Sequence, residues 1–307
     1  MTDSRSAGNR LHGHVSPGRS HAGHPDDLSM LHLLTRQVRQ ILRGLTVRGT
    51  KCLVATLPLP VAVILKEQLE LIEKLDYDRH EVFLSINSSL EHAIRTHSCK
   101  REPETVQWIE GFLHHGDVMF DIGANVGAYS LVAAKFSNGN ARIYSFEPSF
   151  SSFAALCRNI ALNRCADSIF PLNLALSDET AVGVFNYSDL SAGSSLHGYQ
   201  TTRTVKGLFT PVLKQFVLSY QIDDLLRLLS IPVPNLIKID VDGVELSILH
   251  GASETLKDKR VRTVLVEIEK ESEHRDEIHE FLSEHGFQFA GPQKLGAPNA
   301  IFVRERQ

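Results

Sequence analysis

An apolar run closed by an acid, two spaced glycines, a helical pattern and a second apolar run closed by an acid leave a chain few folds to choose from. The first run is Asp117-Val-Met-Phe-Asp121-Ile-Gly123-Ala-Asn125-Val-Gly127-Ala-Tyr129-Ser130, and the second ends Ile-Tyr-Ser-Phe-Glu147-Pro148. Gly123 and Gly127 permit the tight turn and close backbone approach that follow the first strand of a βαβ unit. An acid about twenty residues further on stands where it can accept both hydroxyls of a ribose. A nucleotide-binding α/β enzyme is the first expectation.

The glycines run Gly-x-Asn-x-Gly, however, and not Gly-x-Gly-x-x-Gly. A dinucleotide needs the amides of a helix N-terminus kept clear for its pyrophosphate. Asp121 and Asn125 present a carboxylate and an amide oxygen, poor partners for an anion and good ones for an ammonium group. S-adenosylmethionine has an ammonium group and no phosphate, so it suits the motif better than NAD.

Composition narrows the partners. With 307 residues, 42% of them hydrophobic, the chain can bury one substantial core and a small accessory segment. A formal net charge of -4 offers no electrostatic footprint for a phosphate polymer, so no nucleic-acid partner is expected. Cys52, Cys99, Cys157 and Cys165 lack Cys-x-x-Cys spacing and read as thiols in a reducing, cytoplasmic compartment. The longest apolar stretch, Cys52 to Leu65, contains Pro58 and Pro60 and falls short of the roughly 20 residues a spanning helix needs. No transmembrane span is expected.

Three segments are expected: a disordered tail over 1–27, a helical N-terminal extension over 28–79 and a catalytic domain over 80–307. The tail is rich in Gly, His, Ser and Arg and lacks a signal peptide's apolar stretch. His12, His14, His21 and His24 are assigned no metal. Leu31, Leu34, Val38, Ile41 and Leu45 mark one helical face, and Val61 to Leu75 a second helix. Val82, Leu84 and Ile86 alternate as a strand does, and Pro103 fits the first turn of a helix. From Val118 strands and helices alternate: strands at 118–122, 141–146, 169–172, 182–187, 236–239 and 261–268, with an irregular stretch over 188–204. Strands at 287–289 and 300–303 close the sheet as an antiparallel pair. Such alternation gives a mostly parallel sheet covered on both faces.

Taken together, GDVMFDIGANVGAYS ending at Ser130, Phe146-Glu-Pro148, Asn173 to Asp178, Gly193 to Leu196, Ile222 to Leu225, Ile237 to Ala252 and Val264 to Glu269 resemble the FkbM-type methyltransferases. Glu102-Pro-Glu-Thr-Val-Gln-Trp-Ile resembles the segment that precedes the first motif there. The resemblance covers about residues 80 to 303. It implies a class I methyltransferase fold, Rossmann-like, with a seven-stranded mostly parallel sheet, one antiparallel strand and helices on both faces. It also implies S-adenosylmethionine as methyl donor and a hydroxyl of a sugar or small secondary metabolite as acceptor.

The resemblance assigns roles motif by motif. Gly123, Asn125 and Gly127 would shape the loop around the donor, with Asp121 beneath it, and Glu147 would accept the ribose hydroxyls. Asn173 and Ala175 would flank the adenine, and Glu102 would help close the donor site, with helix capping as its alternative. Asp240 is the leading catalytic residue, seconded by Glu267; Glu245 lies on the next helical turn. Asp240 and Glu267 are hard oxygen donors that also suit Mg²⁺, as in some other class I O-methyltransferases; a site without metal is the preferred reading. The chain departs from the family in having Asp242 where Glu is frequent and Glu269 where His or Gln is frequent, which weakens a His base there. His197, in the polar 191–204 loop, is a second-choice base. The rival readings are an NAD or nucleotide-sugar enzyme on the same kind of sheet and a non-catalytic binding module that keeps the fold.

Overall fold

The computed structural model describes residues 45–204, 207–268, 272–291 and 299–305. The expected tail, almost all of the expected first helix, and Glu269 lie outside the described residues. The chain divides into two compact units, one ending at Leu69 and one beginning at Glu70. In the first, residues 45–56 are helical and α1 (Leu59–Gln68) follows, with Pro60 in its first turn.

The helix expected over 61–75 ends at Gln68, and its distal part instead forms β1 (Ile72–Lys74), paired antiparallel with β2 (Phe83–Ser85). Leu71, Ile72 and Leu75 are spaced as on a helical face, and no residue of β1 is buried, so only pairing with β2 identifies the strand. Short helices α2 (Ser89–Ala93) and α3 (Ser98–Arg101) lead to α4 (Pro103–Phe112). Buried Trp108 on α4 donates from its indole N–H to Thr263 Oγ1 at 2.9 Å.

The sheet follows. β3 (Val118–Ile122), α5 (Ala128–Phe136), β4 (Arg142–Phe146), α6 (Phe150–Leu162) and β5 (Ile169–Leu172) form two βαβ steps. An inserted small sheet comes next: β6 (Ala175–Leu176), β7 (Ala181–Tyr187) and β8 (Gly198–Tyr199), then a β9 (Arg203–Thr204) and β10 (Gly207–Leu208) pair beside it, and β11 (Leu213–Tyr220). β11 was not legible in sequence, because its solvent face carries Phe216 and Leu218 and the apolar alternation is lost. The chain returns through α7 (Ile222–Leu229), β12 (Leu236–Ile239), α8 (Glu245–His250), β13 (Thr263–Glu267), α9 (Arg275–Glu284), β14 (Phe287–Phe289) and β15 (Asn299–Arg304).

The main sheet has seven strands in the order β14-β15-β13-β12-β3-β4-β5. All are parallel except β15, which runs antiparallel to both neighbours. This is the class I methyltransferase fold expected from the sequence. Alternation within β3 shows how it is covered. Met119 joins the core under α4, α5 and α6, while Val118, Phe120 and Ile122 join the opposite core under α7, α8 and α9. Strand order reverses between β3 and β12, so the carboxyl ends of these two strands open the crevice where ligands of such sheets bind.

Candidate active site

At that crevice the chain leaves a cavity of about 320 Å³. Its wall includes Glu102, Gly123, Asn125, Glu147, Ala175, Asp240 and Glu267. Asp121, Gly127 and Asn173 are not in the wall, and each has another task. Gly127, with φ 89°, caps α5, and a Cβ there would lie 2.5 Å from Leu156 Cδ1. Asn173 donates from Nδ2 to the carbonyls of Glu147, at 2.8 Å, and Pro148, at 3.1 Å, fixing the turn after β4.

Gly123 binds the two halves of the crevice together. At φ 76° its Cα approaches the β12 end so closely that a Cβ would stand 1.9 Å from the Asp240 carbonyl oxygen. The loop's amides are already engaged: those of Gly123 and Ala124 donate to the Phe146 carbonyl, and that of Gly127 to Ala124. The Asn125 amide donates to Glu147 Oε2 at 2.8 Å, and Ser149 N–H holds Oε1 at 2.8 Å. Buried Glu147 is consequently pushed up to about 7 by desolvation, against which those two amides pull. Asn125, itself at φ 51°, donates from Nδ2 to the Ser194 carbonyl, while its Oδ1 is buried without a partner.

The other side of the wall is built around Lys238. A lysine between Ile237 and Ile239 in a fully buried strand is anomalous, and its ammonium lies 3.4 Å from Asp121 Oδ1 and 2.8 Å from Asp240 Oδ2. It also sits over the Tyr129 ring at 5.2 Å. Asp121 further accepts from Ser130 Oγ at 2.5 Å. Burial pushes Asp240 up, but Lys238 and a hydrogen bond with Glu267 bring it below the usual carboxylate range. Glu267 is pushed up to about 10 by burial, the Asp240 charge and that same hydrogen bond. Within the pair, Asp240 is thus biased toward its ionised form and Glu267 toward its protonated form. Glu102 is raised too, by burial and by Asp240. It holds the N-cap position of α4 yet makes no side-chain cap, which removes the capping alternative and leaves its carboxyl in the cavity wall.

The polar 188–204 loop is a fixed strap across the cavity. Arg95 donates to the Gly193 carbonyl from Nε at 2.9 Å and Nη2 at 2.7 Å, and Leu196 N–H donates to Asp242 Oδ2 at 2.5 Å. Half-buried Asp242, at the family's Glu position, is raised to about 6 by desolvation. His197 is not available as the second-choice base. Its Nδ1 accepts the Ser188 amide at 3.2 Å, so the hydrogen resides on Nε2, and burial lowers its pKa to about 4. Sequence reading missed Arg95, Lys238 and Tyr129; only Lys238 carried a signal, a charge inside an apolar strand. Among the described residues no group of three or more His, Cys, Asp or Glu has metal-holding geometry.

The chain is similar to known methyltransferases. The profile described as the methyltransferase FkbM domain matches residues 121–289, more than half of the chain. A hexuronic acid methyltransferase of Haloferax volcanii is 26% identical over 64% of this chain and 74% of its own length. The 31-O-demethyl-FK506 methyltransferase of Streptomyces tacrolimicus is 28% identical over 59% of this chain and 76% of its own. A methyltransferase of Sordaria araneosa is 28% identical over 58% and 76% respectively.

Proposed function

The chain belongs to the FkbM methyltransferase family, and we propose that it transfers the methyl group of S-adenosylmethionine to a hydroxyl of a sugar or small secondary metabolite. Bound in the crevice, the donor supplies a methyl group on a positively charged sulfur, open to in-line attack by an oxygen. The residues present fit it. A carboxylate has about four acceptor sites, and Glu147 accepts one bond from each of two amides, leaving capacity for two ribose hydroxyls. Asn125 Oδ1, buried without a partner, awaits a donor group. Leu174 and Ala175 offer the base an apolar wall. The engaged amides of Gly123, Ala124, Asn125 and Gly127 leave none of those four free for phosphate. That engagement is the observation that carries the reading.

On the acceptor side, the ionised member of the Asp240–Glu267 pair takes the hydroxyl proton as the oxygen is methylated. Lys238 keeps that negative charge on Asp240, and the protonated Glu267 steadies it by hydrogen bonding. Much of the acceleration comes from holding oxygen, methyl and sulfur in line. One relative's name specifies a 31-O position and another's a sugar acid, which supports an oxygen acceptor of this class. The test is transfer of radiolabelled methyl from the donor to panels of glycans and hydroxylated metabolites, followed by alkaline hydrolysis. An ether label survives; label lost to alkali, or found on nitrogen, contradicts hydroxyl methylation.

A further inference from the structure

Arg95 is a cation of the cavity wall whose charge the proposed methyl transfer leaves unused; its side chain is half-buried. The strap locks it in place. Its Nε and Nη2 both donate to the Gly193 carbonyl, and a Cβ at Gly193, where φ is 82°, would stand 3.3 Å from Arg95 Cγ. A guanidinium has five N–H donors. Two are spent on Gly193, and the other three, both of those on Nη1 included, have no acceptor among the described residues. Glu102, Glu147, Asp240, Asp242 and Glu267 line the same cavity, yet none of them pairs with Arg95. Amides hold Glu147, Lys238 holds Asp240, and the Leu196 amide holds Asp242. A guanidinium drawn partly out of water and left without a counter-ion gains most when a ligand brings an anion to it.

We propose that Arg95 receives a carboxylate, that of the amino-acid end of the donor. A planar carboxylate matches the guanidinium fork, and a fork already oriented by Gly193 loses little freedom in binding it. Position favours the donor as the source. The strap carbonyl that holds Arg95 is followed by that of Ser194, which accepts Asn125 Nδ2 at 2.8 Å. The same two strap residues therefore tie Arg95 to the loop that shapes the donor crevice. Every S-adenosylmethionine molecule brings a carboxylate, whereas a hydroxylated acceptor need not. Arg101 also lines the cavity, but it is exposed and no hydrogen bond among the described residues orients it. The inference rests on the S-adenosylmethionine reading and adds to it the residue that reads the end of the donor remote from its base.

Calorimetry of the full-length protein with two ligands tests it: S-adenosylhomocysteine and its decarboxylated analogue, which keeps the nucleoside, the sulfur and the amine. The parent is expected to bind the first roughly 10- to 100-fold more tightly than the second, the range of a charge-assisted hydrogen-bonded pair. Arg95→Gln is expected to erase that preference by weakening S-adenosylhomocysteine alone. Arg95→Lys should restore part of it, since an ammonium keeps the charge but not the fork. Equal loss of affinity for both ligands in Arg95→Gln overturns the proposal and leaves Arg95 as a tie for the strap. An unchanged preference in that variant overturns it too, and is the result expected if the carboxylate belongs to the acceptor. Binding of neither ligand by the parent removes the donor reading itself, and this inference with it.

Discussion

The two sides of the cavity bury carboxylates by opposite means. Glu147 is held by the amides of Asn125 and Ser149, with Arg95 and Asp242 acting on it in opposite directions, and desolvation lifts it to about 7. Asp240, across the Gly123 loop, is half-buried beside a lysine ammonium at 2.8 Å and stays below the usual carboxylate range. Amide dipoles orient a carboxylate but compensate its charge only in part; a full counter-charge fixes the charge itself. The contrast divides the labour. A carboxylate held by amides suits the recognition of hydroxyls, whereas one kept ionised by an adjacent ammonium is in the form that can accept a proton.

The contrast can be broken from either side. Asp240→Asn removes the acceptor's charge and is expected to lower turnover by roughly 10² to 10⁴ while donor affinity by calorimetry changes little; undiminished turnover would dismiss Asp240 as base. Lys238→Met leaves Asp121 and Asp240 without their cation. Chemical denaturation should then show a loss of about 3–5 kcal/mol, and an unchanged midpoint would mean that the lysine is not the counter-charge. Glu147→Ala should weaken donor binding on the order of 100-fold with little change in turnover at saturating donor. The smallest effect comes from pH. Because the ionised form of Glu147 binds the hydroxyls, donor affinity should fall about tenfold from pH 8 to 6. Folding stability runs the other way. A carboxyl whose folded value is raised contributes most below the ordinary carboxylate range and loses that contribution as pH rises toward 7. The stability of the parent relative to Glu147→Gln should therefore decline from pH 5 to 8, and parallel curves would show that Glu147 is not desolvated.

The sheet was legible because its strands obey rules that act locally. Leu236–Ile239 and Val118–Ile122 are short runs of apolar residues ended by turn signals, and the acids at strand ends mark the crevice. What escaped depends on contacts remote in sequence. Arg95 reaches the Gly193 carbonyl, 98 residues away, and no local pattern encodes such a tie. The 188–204 strap reads as an irregular polar loop because its order comes from Asn125, Asp242 and Arg95. Asp121 was placed beneath the donor loop from its motif, yet its partners Ser130 and Lys238 appear only when β3 and β12 lie side by side. β1 escaped because its three residues bury nothing and carry no alternation, so that the pairing with β2 alone makes it a strand.

The central claim is that the crevice between the Gly123 loop and Glu147 receives a sulfonium nucleoside and not a pyrophosphate. Calorimetric titration of the parent protein with S-adenosylhomocysteine and, separately, with NAD tests it directly. Saturable binding of the first and none of the second is the predicted result. Binding of NAD with no heat from S-adenosylhomocysteine would contradict it.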